Sequence, residues 1–301
     1  MTQTTRGPLM LAGLAILLWS TVATAFKLAL LHFSPFQLVF LASICSAMVL
    51  GVLAIIFKKK MQFLISRKTK DIFKSLLLGF LNPFLYYLVL FEAYKRLPAQ
   101  IAQPVNFTWP IFLTILAVIF LKEKVSVRTF PALLISFTGV VVLSVQATSS
   151  FNLTGKQFVV GLLLGLLSAL IWAVYWIISL KDKRPALIRL FTGFSWAVLL
   201  LSLYGWISGS FSAEWHSEYF IYPVYIGFFE MSITFFLWVK ALEKAPNKAF
   251  LSNLLYLIPV LSLFFITIVL KEPIQTSTFL GLLLIIAGVY IQSFKKKNKP
   301  G

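Results

Sequence analysis

Acids are scarce in this chain: nine Asp and Glu stand against 27 Lys and Arg. The sequence offers no paired carboxylates, no GxSxG elbow and no HExxH pair, so the common hydrolase arrangements are missing. Its two histidines, His32 and His216, stand alone in loops, which leaves no metal-ligand cluster. No Walker loop is present, so ATP does not drive this protein directly. The one cysteine, Cys45, falls inside an apolar run and excludes an intramolecular disulfide. Gly/Ser-rich linkers and low-complexity tracts are missing as well. Together these absences argue against an enzyme and against a resident metal or cofactor.

What the chain has in abundance is apolar length. It is 59% hydrophobic and only 12% charged over 301 residues, a balance no soluble fold of this size could bury. A helix needs roughly 20 apolar residues to cross a bilayer. Ten such spans fit, at 9–27, 36–57, 73–94, 99–121, 128–146, 157–180, 187–208, 219–239, 247–270 and 276–294. The expected class is therefore an all-α, multi-pass integral membrane protein.

The net charge of +18 is unevenly placed. With the N-terminus in the cytoplasm, all but five of the 27 Lys and Arg fall on the cytoplasmic side. The five are Lys27, Lys95, Arg96, Lys156 and Lys271. The positive-inside rule then places both termini in the cytoplasm. The basic loops would rest on anionic lipid headgroups, and a nucleic-acid partner is not expected. Ala23-Thr24-Ala25 resembles a signal-peptide cleavage site, but residues 9–26 are echoed by 162–179, with Trp19 matching Trp172, so this stretch reads as the first span of a repeat. The sequon at Asn152 falls in a predicted outer loop.

The echo runs through the whole chain. Gly79 returns as Gly227, Leu97-Pro98 as Ala245-Pro246, and Pro110 as Pro259. Leu121-Lys122-Glu123 returns as Leu270-Lys271-Glu272, and Gly139 as Gly288. Two units follow, 9–146 (spans one to five) and 157–294 (spans six to ten). An odd number of spans per unit makes the second unit enter the membrane from the opposite side. The expectation is two inverted five-helix repeats around a central cavity.

Polar groups inside the spans ask for a reason, because they are costly in hydrocarbon. Glu230 lies in the middle of span eight, and its repeat partner is Asn82 in span three. A carboxyl there either carries a proton or faces a cationic group of a substrate, or it is a neutral Glu hydrogen-bonded to a neighbouring helix. Glu92 and Lys240 form a second matched pair that reads as interface anchors. Span four places Gln100, Gln103, Asn106 and Pro110 on one helical face, beside Trp109. Span nine repeats this with Ser252, Asn253, Tyr256 and Pro259. A polar stripe and a kink in both units suggest the wall of a cavity, while amides of this kind also bond helix to helix. Rings gather at Tyr86, Tyr87, Trp109, Trp172, Tyr175, Trp176, Trp238 and Tyr256, where they either pack or stack on a solute. The Gly161-xxx-Gly165-xxx-Ala169 stripe reads as helix packing. The two Lys-Glu pairs read as corner pieces, each carboxylate set to cap the start of the helix that follows it.

These residues resemble the EamA branch of the drug/metabolite transporter superfamily. The resemblance rests on the two five-span halves and on a Pro, an apolar run and Leu-Lys-Glu closing each fourth helix. It also rests on the opening Gly13 to Thr21 with Trp19-Ser20-Thr21, and it covers residues 9–294. Within that branch, Val105 to Pro110 and Ala169 to Tyr175 are similar to the bacterial aromatic amino acid exporters. The resemblance implies a ten-helix basket in a bacterial inner membrane that works by alternating access. It implies a cavity formed by Tyr86, Asn106, Trp109, Trp172, Ser252 and Tyr256, to which the residues themselves add Glu230. The expected function is export of small amphipathic metabolites, amino acids first, driven either by the substrate's own gradient or by protons, which Glu230 would carry. Export of lipophilic cations or drugs is the alternative, and a non-transporting lipid-handling or assembly protein is a third class.

Overall fold

This computed structural model describes residues 3–57, 69–122, 131–132, 134–136, 138–139, 142, 155–245, 251 and 254–293. The sequence readings at Glu123, Asn152, Ser252, Asn253 and the basic runs 58–68 and 295–299 lie outside them. Helices Arg6–Ala29, Pro35–Ile56, Thr69–Arg96 and Ala99–Phe120 occupy spans one to four. Gly155–Leu180, Ala186–Ile207 and Ser217–Lys244 occupy spans six to eight. These seven are long and apolar enough to cross a membrane, and the shorter Leu254–Leu270 and Thr276–Gly288 fall in spans nine and ten. The described residues of span five between 131 and 142 are helical.

Local chemistry sets where these helices stop and bend. Ser34 caps span two: its Oγ accepts from Gln37 N at 3.2 Å, the Gln37 side chain accepts from Ser34 N at 2.9 Å, and Pro35 opens the helix. Leu97 is extended ahead of Pro98, which ends span three and starts span four. Lys122 and Lys271, the matched lysines, both take left-handed backbone, with φ of 53° and 55°, and terminate spans four and nine. Span four breaks at Phe107 and Thr108, just ahead of Trp109-Pro110. Pro110 has no N–H to continue the ladder, and in the break before it the Val105 carbonyl accepts from Thr108 N at 3.2 Å and from the Thr108 hydroxyl at 2.7 Å.

The surface shows the inside-out pattern of a lipid-facing body. Met10 is 75% exposed, Ile55 63% and Trp206 78%, in helices whose other faces are buried. The interior holds hydroxyls instead: Ser20, Ser43, Ser46, Ser168, Ser232 and Ser262 are buried. Cys45, beside them in span two, is only half-buried, its thiol 3.6 Å from Val224 O.

Helix pairing repeats across the two units. Span three packs on six and seven, while span eight packs on one and two; span four lies on six, and span nine on one. Exchanging the units therefore maps the pairing onto itself. The matched glycines sit at matched crossings: a Cβ at Gly79 would meet the Gly193 carbonyl of span seven, and one at Gly227 the Ala42 carbonyl of span two. Gly161 and Gly165 admit Leu97 and Val105, whose nearest atoms would stand 2.7 and 2.8 Å from an added Cβ. That stripe is a packing surface, as its spacing suggests.

Candidate functional site

Spans one, three, four, six, eight and nine line a cavity of about 110 Å³. Its wall is mostly ring. Trp19 and Phe26 come from span one, Tyr86 and Tyr94 from three, and Phe107 and Trp109 from four. Trp172 and Trp176 come from span six, Phe235 and Trp238 from eight. Trp172 is the hub: it stacks on Tyr86 with centroids 4.7 Å apart, and lies 5.3 Å from Tyr175, 6.0 Å from Trp176 and 5.9 Å from Phe235. Its repeat equivalent Trp19 holds Phe235 edge-on at 5.4 Å and Trp238 at 5.8 Å. The two matched tryptophans thus approach the same phenylalanine from opposite units.

Glu230 supplies the charge of this wall. It sits in a wide, π-helical turn over Ile226–Ile233, which breaks the regular ladder of span eight. The carbonyls are collected locally: Ser232 Oγ donates to Gly227 O at 2.6 Å, and Ser46 Oγ to Met231 O at 3.0 Å. Asn82, the repeat partner, also lies in a break, with φ of −145° and ψ of 119° ahead of Pro83. One Glu230 oxygen is fixed: the buried Tyr87 hydroxyl donates to Oε1 at 3.0 Å. The Trp19 side chain stands by the carboxyl as a looser donor, while the other oxygen, Oε2, is buried with no partner at good hydrogen-bond geometry. The Trp176 indole N–H is in the same condition on the same cavity.

The amides divide their work. Gln100 is helix-to-helix glue: it is fully buried, donates to Pro273 O at 3.0 Å and accepts from the Thr278 hydroxyl at 2.8 Å. Asn106 does both: it accepts from the Tyr86 hydroxyl at 3.2 Å, donates to Ser168 Oγ at 2.9 Å, and still lines the cavity. Gln103 also lines it.

Of the residues expected to form the site, the structure brings together Tyr86, Asn106, Trp109, Trp172 and Glu230. Tyr256 is half-buried against the core and is not among the lining residues, whereas Leu255 and Ile258 are. Locally, Leu254–Tyr256 form a 3₁₀ turn that leads into the helix Leu257–Phe265, and Leu255 and Ile258, three residues apart across that junction, share the inner face. Ser252 lies outside the described residues.

A sequence profile of the EamA-like transporter family matches residues 6–145 and again 159–294. The chain belongs to the EamA-like transporter family. An uncharacterized transporter of Archaeoglobus fulgidus is 26% identical, the match covering 93% of this chain and 96% of that one. Uncharacterized transporter YvbV of Bacillus subtilis is 24% identical over 97% and 93% of the two chains. YoaV of the same organism is 26% identical over 92% and 94%. One solved crystal structure shares the fold at a TM-score of 0.67, with 22% identity over 96% of both chains. Members of this family are multi-pass membrane transporters and not enzymes, which agrees with the missing catalytic constellations.

This EamA-family cavity also contains residues that motif reading passed over as site residues: Trp19, Phe26, Tyr94 and Phe235. Trp19 carried a signal, since it is the repeat equivalent of Trp172. The phenylalanines carried none, being indistinguishable in sequence from the other Phe of the chain.

The Glu272 corner differs from the sequence reading. Its carboxylate does not cap the helix that follows. It accepts from Ala99 N at 3.0 Å and Gln100 N at 3.3 Å, the start of span four in the other unit. Lys27 closes the same end of the bundle, donating to Tyr94 O at 2.9 Å and Leu97 O at 3.1 Å. The two interface anchors find partners on their own helices, Glu92 with Arg96 and Lys240 with Glu243.

Proposed function

We propose that this transporter is a secondary active exporter of small amphipathic metabolites, aromatic and other amino acids among them. It would sit in a bacterial inner membrane with both termini cytoplasmic and its basic loops against anionic headgroups. The two units, 9–146 and 157–294, are inverted repeats that rock about the central cavity and open it to one side at a time. The pairing pattern that maps onto itself when the units are exchanged supports this arrangement. The observation that carries the reading is the ring-lined cavity itself, fed by both units and holding a mid-span carboxyl with a free oxygen. Such a wall accepts an apolar body and one polar head. Glu230 serves as the coupling group for protons.

The test is flux through the purified chain in liposomes, measured against a panel of amino acids, amines, organic acids and cationic dyes. Movement of at least one class, with accumulation that follows an imposed pH gradient, is the expected result. A panel in which no solute crosses would sink the transport reading and favour an assembly or lipid-handling role.

A further inference from the structure

The cavity is asymmetric in charge. Among its described lining residues there is one acid, Glu230, and no Lys, Arg or His. A carboxylate on the ligand would therefore meet only neutral donors, while an ammonium would meet a carboxyl. The acid also has an oxygen to spare: Tyr87 serves Oε1, Trp19 stands by the carboxyl as a looser donor, and Oε2 has no partner at good hydrogen-bond geometry. Around it stand Trp19, Trp172, Phe235 and Trp238, whose ring faces attract cations within about 6 Å and cover apolar groups equally well. Against a wall this apolar, an ion left without its counter-ion is disfavoured, while a paired and hydrogen-bonded one is tolerated.

We infer that the site takes a protonated aromatic amine, an aryl-alkylammonium with at least one N–H, in preference to the corresponding amino acid. The ammonium N–H donates to Glu230 Oε2, and the ring lies against the tryptophans. A zwitterion would add a second, uncompensated charge. A quaternary ammonium would match the charge but offer no hydrogen to Oε2. An acid without an amine would bring like charge to Glu230. This inference rests on the transporter reading and narrows it to a substrate class.

The test uses four probes on the purified full chain in detergent and in liposomes: tryptamine, tryptophan, indole-3-propionate and phenyltrimethylammonium. Expected is a Kd for tryptamine at least tenfold below that for tryptophan, with phenyltrimethylammonium weaker than tryptamine and indole-3-propionate not bound. Glu230→Gln keeps the shape and the Tyr87 contact, and should weaken tryptamine at least tenfold while leaving the unliganded melting temperature within a few degrees. The ranking on the unaltered protein stands even if that variant folds poorly. Equal or tighter binding of tryptophan overturns the inference and leaves the transporter reading intact, as does failure of all four probes in a protein that moves some other solute. Absence of flux for every solute overturns both.

Discussion

Glu230 separates two roles that one residue can hold: ligand for a substrate and carrier for a proton. Replacing it with Gln removes the titrating group but retains volume and hydrogen-bonding capacity. The expected outcome is transport that no longer responds to an imposed pH gradient, measured as initial flux into liposomes with and without the gradient. Flux that still follows the gradient in Glu230→Gln would remove the carboxyl from the coupling step. Trp172 is the corresponding test of the wall. It is 8% exposed and touches four other rings, so Trp172→Ala opens a hole beside Glu230. Truncating a buried ring of this size costs about 3–5 kcal/mol. A lower melting temperature together with weaker substrate binding is expected, whereas Trp172→Phe should restore most of the stability. At this scale the sequence was informative where a residue type was expensive. A carboxyl in mid-span and the mid-membrane tryptophans stood out because hydrocarbon penalises the first and interface belts do not explain the second. Phe26 and Phe235 did not stand out, since an apolar ring costs nothing anywhere in a span.

Elements are held to each other by short-range contacts at crossings and by polar straps at the ends. At the Gly79 crossing, an added methyl would run into the Gly193 carbonyl of span seven. Gly79→Ala should destabilise the protein by about 1–3 kcal/mol, the usual effect of overpacking, read as a drop in melting temperature. Arg184 straps the loop between spans six and seven to span three. Its guanidinium reaches both Asp182 oxygens, with Nη2 to Oδ2 at 2.7 Å, and donates to Ser75 Oγ at 2.7 Å. Burial alone would raise the Asp182 carboxyl, but the hydrogen bonds and charge of Arg184 hold it below the ordinary value of 3.8. A carboxyl lowered in the folded state contributes stability above its unfolded value and loses it as pH falls through the folded value. Melting temperature should therefore decline below about pH 4, and Asp182→Asn should lower it at pH 7 while flattening that acid decline. An unchanged acid limb in Asp182→Asn would remove this pair from the account. Helix existence was legible from apolar length, but the breaks were not fully so. The proline in span four announced a kink but not its place, and the chain turns at Phe107 and Thr108, because a proline disturbs the turn before it. The face of span nine was not legible either: a 3₁₀ turn at Leu254–Tyr256 precedes the helix from Leu257, and Leu255 and Ile258 line the cavity where Tyr256 was expected.

For the whole molecule, the duplication seen in the sequence reappears in the helix pairing: what span three does to seven, span eight does to two. Which partner a corner residue caps was beyond the sequence, because it depends on how the units face each other. Glu272 shows this, reaching the start of span four across the unit boundary, where local reasoning sent it to span ten. That strap and the Lys27 contacts tie one end of the bundle, and Arg184 ties the opposite end. An alternating cavity has to release such ties one end at a time. The inversion behind this scheme has a direct test. Lys95 and Glu243 occupy equivalent positions in the two repeats, both exposed and both just before the junction to the next span. With Cys45 replaced by Ala the chain has no thiol of its own, so single cysteines can be placed at will. Inverted repeats predict that Lys95→Cys reacts with a membrane-impermeant maleimide from the outer face of intact cells, whereas Glu243→Cys reacts only after the membrane is opened. Parallel repeats would put both thiols on one face. Labelling of both from the same side would therefore overturn the pseudo-twofold arrangement, and with it the rocking mechanism, while leaving the ring-lined site in place.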